Sequence, residues 1–194
     1  QVSQEILANI KIPEDTTVAD SNVLIAVLDD EEQTEELNSE VKQQVENANK
    51  TVQTTDSGFR YATIATINIP KINVEYPILD GETDSVEETE ALLKISPTKF
   101  WGPEPNEVGN FCIVGHNYRN SRFFSKVPTL KNGDIIEITD LTGRKINYRV
   151  YNKYEVDPTD VSCTSQLTNG NKEITLITCT NDSKMRVIVK AREV

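Results

Sequence analysis

The sequence predicts a mainly β protein, a closed β-barrel with short inserted helices, preceded by an acidic and partly helical N-terminal segment. Short runs of alternating apolar and polar residues recur from residue 59 to the C-terminus, separated by Gly, Pro, Asn and Asp. All 8 glycines and all 12 aromatic residues lie at or after position 58. The acidic excess, in contrast, lies ahead of that position.

This change in composition predicts a boundary between an N-terminal segment, 1–57, and a folded domain, 58–194. The segment carries 13 acidic and 3 basic side chains, whereas the domain carries 18 and 17, so most of the net charge of −11 belongs to the segment. A stretch this acidic, without aromatic residues, has too little apolar surface for a core of its own. Two interpretations stay open: an acidic stalk with a helix over 31–52, or a lid formed when the apolar run 23–28 docks on the domain.

The elements of the domain are predicted from periodicity and turn residues. Two alternating runs, 61–69 and 72–79, are separated by Pro70 and Lys71. A helix is expected over 84–95, capped by Asp84 or Ser85. The other predicted strands are 110–116, 134–139, 144–156, 173–180 and 185–194, with a short helix or turn over 122–130. A series of short strands of this kind favours a closed barrel.

The residues that suggest chemistry lie at strand ends. The run 174–179 ends in Cys179, a polar turn follows, and the last strand begins near Arg186. His116, the only histidine, ends another apolar run. A thiol becomes a strong nucleophile when a neighbouring base accepts its proton, and among histidines only His116 is available for that task.

The turn after Cys179 predicts which residue faces it. If residues 181–184 form a hairpin turn, Thr180 opposes Met185 and Cys179 opposes Arg186. Opposed residues of an antiparallel pair are about 4.5–5.5 Å apart at Cβ. The guanidinium would then lie beside the thiol, where it favours the thiolate and can bind an oxyanion formed when the sulfur attacks a carbonyl.

These motifs resemble those of the sortases, the cysteine transpeptidases of Gram-positive cell surfaces. Leu176-Ile177-Thr178-Cys179 is similar to their Thr-Leu-x-Thr-Cys signature, Gly115-His116-Asn117 to their histidine motif, and Arg186 to their essential arginine. Supporting segments follow the family's order at 67–72, 76–78, 134–136 and 156–160, and the resemblance covers residues 59–194. It implies a sortase-type barrel of eight strands.

The resemblance also implies a reaction and its partners. Cys179 would be the nucleophile that attacks the Thr–Gly bond of a Leu-Pro-x-Thr-Gly-like sorting signal, His116 the general acid and base, and Arg186 the group that holds the oxyanion. Thr178 and Asn117, which flank the first two, are candidate substrate-binding residues. The partners would be surface proteins that carry a sorting signal and an amine of a cell-wall precursor. An alternative is a pilin-polymerising sortase, which joins pilin subunits through a lysine amine.

The location that the resemblance implies is the extracellular face of the cytoplasmic membrane in a Gram-positive bacterium, with a membrane anchor ahead of Gln1. No cofactor is implied. The sequence has no basic patch of the kind that binds nucleic acid and no apolar stretch as long as a transmembrane helix.

The other two cysteines do not indicate further chemistry. Three widely spaced cysteines do not predict a disulfide framework, and a single histidine without a Cys-x-x-Cys motif argues against a zinc site. Cys112 is expected to be a small buried residue, and Cys163 has no assigned role.

A papain-like protease is disfavoured because Cys179 ends a strand rather than beginning a helix. A non-enzymatic β-barrel adhesin, in which Cys179 has no chemical role, is the third hypothesis.

Overall fold

The computed structural model describes residues 18–19, 24, 27–28 and 51–194. Leu24, Val27 and Leu28 are helical. The helix predicted over 31–52 lies outside the described residues except for Thr51 and Val52, which are not helical.

The described part of the chain forms nine strands and, between the third and fourth of them, the α-helix α1, Val86–Leu93. The strands are β1 Gln53–Thr54, β2 Arg60–Ile69, β3 Val74–Gly81, β4 Thr98–Trp101, β5 Gly109–Val114, β6 Ile135–Asp140, β7 Lys145–Val156, β8 Lys172–Cys179 and β9 Arg186–Glu193. Short 3-10 turns cover Pro70–Ile72, Val127–Thr129 and Ser162–Thr164.

The strands form one sheet that closes on itself. Its order is β1-β2-β3-β4-β5-β8-β9-β7-β6, and an additional pairing of β2 with β6 closes β2–β9 into a barrel of eight strands, with β1 beside it. The pairs β3–β4 and β5–β8 are parallel. The predicted mainly β barrel of eight strands is therefore confirmed.

Alternation along the strands fills the barrel interior. In β2 every second residue from Tyr61 to Ile69 is buried. The interior cluster draws on most strands and includes Ile67, Phe111, Ile138, Leu176 and Val189. Each fully buried side chain of this size contributes roughly 1.5–3 kcal/mol to stability, so this cluster is the main source of the fold's stability.

A second apolar cluster covers the outer face of β5, β8 and β9. Val114, Ile177 and Ile188 pack there with Leu93 of α1 and Phe100 of β4. All residues of β8 after Lys172 are consequently buried, which explains why its sequence does not alternate. This outer face carries the residues singled out by the sequence.

Most predicted elements are present, with differences at their ends. The short strands β1 and β4 were not predicted, because two to four residues are too few to show a period of two. The helix is shorter than predicted and begins after Ser85, whose Oγ accepts a hydrogen bond from the backbone N–H of Glu88 at 2.9 Å. The N–H groups of residues 82–84 donate to the buried Glu88 carboxylate, which fixes where the helix starts.

Candidate active site

The three residues expected to act together lie at neighbouring strand ends. The parallel register of β5 and β8 pairs Val114 with Ile177, and the N–H of Gly115 donates to the carbonyl of Ile177 at 3.1 Å. His116 and Cys179 therefore each lie two residues beyond the last pair of this ladder. On the other side of β8, Cys179 pairs with Arg186 at the start of β9. Adjacent strands are about 4.8 Å apart, so the three residues form a row across one end of the sheet. The register predicted from the turn is confirmed.

A structured turn holds Cys179 opposite Arg186. The N–H of Thr180 donates to the carbonyl of Met185 at 3.0 Å, and the N–H of Met185 donates to Thr180 Oγ1 at 3.1 Å. Thr180 Oγ1 also donates to the Asp182 carboxylate at 2.6 Å, and that carboxylate accepts from the N–H of Lys184 at 3.1 Å. The six residues between Cys179 and Arg186 therefore form a fixed hairpin connection.

All three side chains are buried. Cys179 and His116 are each 2% exposed and Arg186 is 0% exposed. Arg186 is therefore not a surface arginine, and β9, which lies between β8 and β7, is not an edge strand. The strand register places this buried arginine directly opposite Cys179.

The N-terminal segment contacts this site. Leu24, Val27 and Leu28 are each 0% exposed and belong to the same apolar cluster as Cys179. The Cys179 thiol donates to the carbonyl oxygen of Leu28, with a distance of 3.7 Å from Sγ to oxygen. Farther along, the N–H of Ala19 donates to Thr164 Oγ1 at 2.6 Å. Part of the predicted apolar run 23–28 thus lies on the domain, against the sulfur.

The segment between β7 and β8 supports this contact. It supplies Val161 and Cys163 to the apolar cluster, and Thr164 to the bond with Ala19. The side-chain amide of Gln166 fixes the segment to β5, because its oxygen accepts from the N–H of Asn110 at 2.9 Å and its NH₂ donates to the Asn110 carbonyl at 2.8 Å.

The two candidate substrate-binding residues lie beside the row but are turned towards the protein. Thr178 is 0% exposed, and its hydroxyl donates to the carbonyl of Gly115 at 2.7 Å. Asn117 is 3% exposed, and its Nδ2 donates to the carbonyl of Cys179 at 2.9 Å. Both side chains therefore join the end of β5 to the end of β8.

Sequence reasoning missed two neighbours of the row. The ring of Tyr118 lies 5.1 Å from the His116 ring, centroid to centroid. Asn181 accepts from Asn117 Nδ2 at 3.0 Å, and its backbone carbonyl accepts from Arg119 Nη1, also at 3.0 Å. Each of these residues lies within two to three positions of His116 or Cys179, which is the signal that could have drawn attention to them.

The other two cysteines are free and buried. Burial raises the pKa of the Cys163 thiol to about 11, and it also raises the pKa of the Cys112 thiol. The prediction for Cys112 as a small buried residue is confirmed. Neither thiol forms much thiolate near neutral pH, so neither is a good nucleophile. Within the described residues, no group of His, Cys, Asp or Glu side chains could hold a metal ion.

A separate cavity of about 260 Å³ lies where β3 and β4 end, lined by Asp80, Gly81, Asp84, Lys99, Phe100, Trp101, Gly102 and Glu104. Burial raises the pKa of Asp80 to about 6, and the Lys99 charge offsets only part of this effect. A carboxyl whose pKa is higher in the folded than in the unfolded chain destabilises the fold above its folded-state pKa. The penalty disappears as the pH falls below about 4, the unfolded value.

We therefore expect Asp80→Asn to stabilise the protein at pH 7.5, by roughly 1–2 kcal/mol, and to have little effect at pH 4. Thermal unfolding of both proteins at the two pH values measures the difference. The exposed Asp56 provides the control, since Asp56→Asn should change neither midpoint. A stabilisation equal at both pH values would show that ionisation of Asp80 is not its cause.

The comparisons with known proteins identify a family and similar folds. The family described as Sortase domain matches residues 67–194. The sortase D5 transpeptidase of Clostridium perfringens has a similar structure, with 29% sequence identity, a TM-score of 0.59, and coverage of 89% of this chain and 99% of that one. Sortase A of Corynebacterium diphtheriae is also 29% identical, with a TM-score of 0.58 and coverage of 68% of this chain and 60% of that one.

A third structure shows the fold alone. Sortase C-1 of Actinomyces oris is 19% identical, with a TM-score of 0.63 and coverage of 100% of this chain and 96% of that one. The comparison with curated proteins gave no significant match. In the part of the chain that the structure describes, no helix has the length and apolar character needed to cross a membrane.

Proposed function

Because the chain belongs to the sortase family, we propose that it is a cysteine transpeptidase that cleaves a Leu-Pro-x-Thr-Gly-like sorting signal between Thr and Gly and joins the surface protein to a cell-wall amine. The observation that carries this proposal is that Cys179 and Arg186 face each other at the ends of β8 and β9, with His116 two residues beyond the end of the adjacent β5. A nucleophile, a proton carrier and a fixed cation at adjacent strand ends form the minimum set for acyl transfer.

The first half of the proposed reaction forms a thioacyl-enzyme. The sulfur of Cys179, as thiolate, attacks the carbonyl carbon of the threonine, and the carbonyl oxygen becomes an oxyanion. The C–N bond to glycine then breaks, and His116, as imidazolium, gives its proton to the leaving amine. The product is a thioester between Cys179 and the surface protein, together with the released C-terminal fragment.

The second half transfers the acyl group. An acceptor amine attacks the thioester, His116 takes the proton that the amine loses, and the sulfur leaves as thiolate. Arg186 is suited to the oxyanion of both halves because its guanidinium starts from the residue directly opposite Cys179. A buried donor of fixed position stabilises a developing charge more strongly than one in water.

The reaction is tested with a synthetic Leu-Pro-x-Thr-Gly peptide and two amines, a short oligoglycine and a lysine-containing pilin-type peptide, followed by mass spectrometry. We expect a product in which the amine replaces glycine. Transfer to oligoglycine supports cell-wall anchoring, whereas transfer only to lysine supports the pilin-polymerising alternative. A peptide with Thr and Gly exchanged is the matched control. Cleavage of that control would indicate a general protease. Absence of transfer from the Leu-Pro-x-Thr-Gly peptide to either amine would contradict the proposal.

The N-terminal segment is proposed to be a lid rather than a stalk. A scissile carbonyl has to approach the sulfur to about 3–3.5 Å. The Leu28 carbonyl oxygen occupies that place, 3.7 Å from Cys179 Sγ. Leu24, Val27 and Leu28 fill the apolar surface around it. The segment therefore has to move before a sorting signal can reach Cys179. The proposed site of action is the extracellular face of the membrane, reached through an anchor ahead of the segment.

A charge placed under the lid should open it. We expect Leu24→Asp and Leu28→Asp to accelerate alkylation of Cys179 by iodoacetamide roughly tenfold, because each loses about 1.5–3 kcal/mol of apolar burial that holds the segment down. The raised pKa values of Cys112 and Cys163 limit background labelling. Val52 is 46% exposed, so Val52→Asp adds the same charge without this effect. If all three variants react at the rate of the wild type, the segment is a stalk.

A further inference from the structure

We propose that Asn117 is a positioning residue for the transfer reaction, and that its side-chain amide takes the place of a backbone N–H at the end of β5. The proposal rests on the proposed function of the site. The hydrogen bond from this amide allows the backbone to leave the β5–β8 pairing at His116. Cys179 nevertheless keeps the position that continued pairing of the two strands would give it.

The hydrogen-bond ladder identifies the missing donor. In a parallel pair, every second residue of one strand donates its N–H to the other strand. The N–H of Gly115 donates to the carbonyl of Ile177 at 3.1 Å. The next acceptor on β8 is the carbonyl of Cys179, and the next donor would be the N–H of residue 117. β5 ends at Val114, and Asn117 supplies the donor from its side chain, Nδ2 to the Cys179 oxygen, at 2.9 Å.

Strand β9 does not compete with Asn117 for the carbonyl of Cys179. Residues facing each other across antiparallel strands alternate between pairs that exchange hydrogen bonds and pairs that do not. The bond from the N–H of Thr180 to the carbonyl of Met185 makes that pair the bonded one. Cys179 and Arg186 are therefore a non-bonded pair, with side chains close together and the carbonyl of Cys179 directed towards β5.

The amide of Asn117 is fully engaged by the protein. Its second N–H donates to Asn181 Oδ1 at 3.0 Å, and its oxygen accepts from the N–H of Arg119 at 3.0 Å. Arg119 also donates from Nη1 to the backbone carbonyl of Asn181. The loop after His116 and the turn after Cys179 are thus joined by both residues. The sequence predicted that Asn117 binds substrate. An amide whose donors and oxygen all have protein partners positions the site instead.

A change at Asn117 should therefore alter the rate rather than substrate affinity. Replacing the amide leaves the Cys179 carbonyl without this donor and releases the end of β8 from the loop that carries His116. A displacement of about 1 Å between reacting groups can cost on the order of a hundredfold in rate. The peptide itself would still meet the same apolar surface, so its KM should hardly change.

Two isosteric variants separate this role from a general effect of charge. Asn117→Asp removes both donors, whereas Asn181→Asp places the same charge about one hydrogen bond away and keeps the oxygen that accepts from Asn117. We expect Asn117→Asp to lower kcat about 30-fold or more with KM changed less than about twofold, and Asn181→Asp to stay within about threefold of the wild type. Asn117→Ala, which adds no charge, should behave like Asn117→Asp.

Each outcome decides the proposal. Equal losses in Asn117→Asp and Asn181→Asp, or a rise in KM without a fall in kcat, would overturn it. Thermal unfolding shows whether each variant is folded, and Asn117→Ala replaces Asn117→Asp if the latter is not. Alkylation of Cys179 by iodoacetamide is measured in parallel and needs no sorting peptide. If the wild type transfers no peptide, the proposed function fails. Positioning by Asn117 is still supported if the Asn117 variants change the alkylation rate at least about threefold and Asn181→Asp does not.

Discussion

Cys179→Ala should form no thioacyl-enzyme and should lose transpeptidation by a factor of at least about a thousand, because the covalent step has no other nucleophile. The loss should come with little change in stability, since the substitution removes one sulfur atom, with an expected cost of about 1 kcal/mol. Mass spectrometry of the intact protein, mixed with the sorting peptide but without an amine, measures the step directly. The wild type gains the mass of the acyl fragment, and the variant keeps its own.

Cys163 provides a matched control. It lies in the same apolar cluster as Cys179 and is equally buried, at 2% exposure. Its thiol has a pKa raised to about 11 by burial, so it holds almost no thiolate at neutral pH. Cys163→Ala should therefore acylate like the wild type. Acylation of Cys179→Ala, or a loss of acylation in Cys163→Ala alone, would show that the nucleophile is not at the end of β8.

The relation between Cys179 and Arg186 could be predicted from sequence because it is local. The turn residues 181–184 fix the hairpin, and the hairpin fixes which residues oppose each other. The position of His116 is different, since it depends on β5 and β8 being parallel neighbours, although 57 residues separate the ends of these strands at residues 114 and 172. The need of a thiol for a base made His116 a candidate partner, but only the resemblance to a family indicated that the fold brings it to the same site.

Other features depend on tertiary packing and could not be predicted. A strand as short as β4 has no detectable period, although its Phe100 packs in the cluster that contains Cys179. The sequence does not indicate whether Arg186 is exposed, and its complete burial depends on β9 lying inside the sheet with an apolar cluster over its outer face. The contact of Asn117 with the Cys179 carbonyl exists because β5 ends before the ladder does. No property of the residue type alone indicates this.

Arg186→Lys is expected to lower kcat/KM for peptide transfer about a hundredfold or more while changing alkylation of Cys179 by less than about threefold. Lysine keeps the positive charge beside the sulfur, so reactions that need only the thiolate should continue. It does not keep the planar, forked set of donors that can hold an oxyanion in a fixed direction. Transfer passes through an oxyanion, whereas alkylation does not. Steady-state transfer and iodoacetamide labelling of the same preparation therefore separate the two tasks.

Arg192 is the matched control for this variant. It lies on β9, six residues after Arg186 and on the same face, where its guanidinium pairs with Glu173 at 2.8 Å. Arg192→Lys should change neither transfer nor alkylation, because that pair lies at the other end of the strand. Loss of both reactions in Arg186→Lys, in a protein that thermal unfolding shows to be folded, would mean that lysine cannot replace even the charge. Near-normal transfer in Arg186→Lys would show that charge alone is sufficient and that Arg186 does not orient the oxyanion.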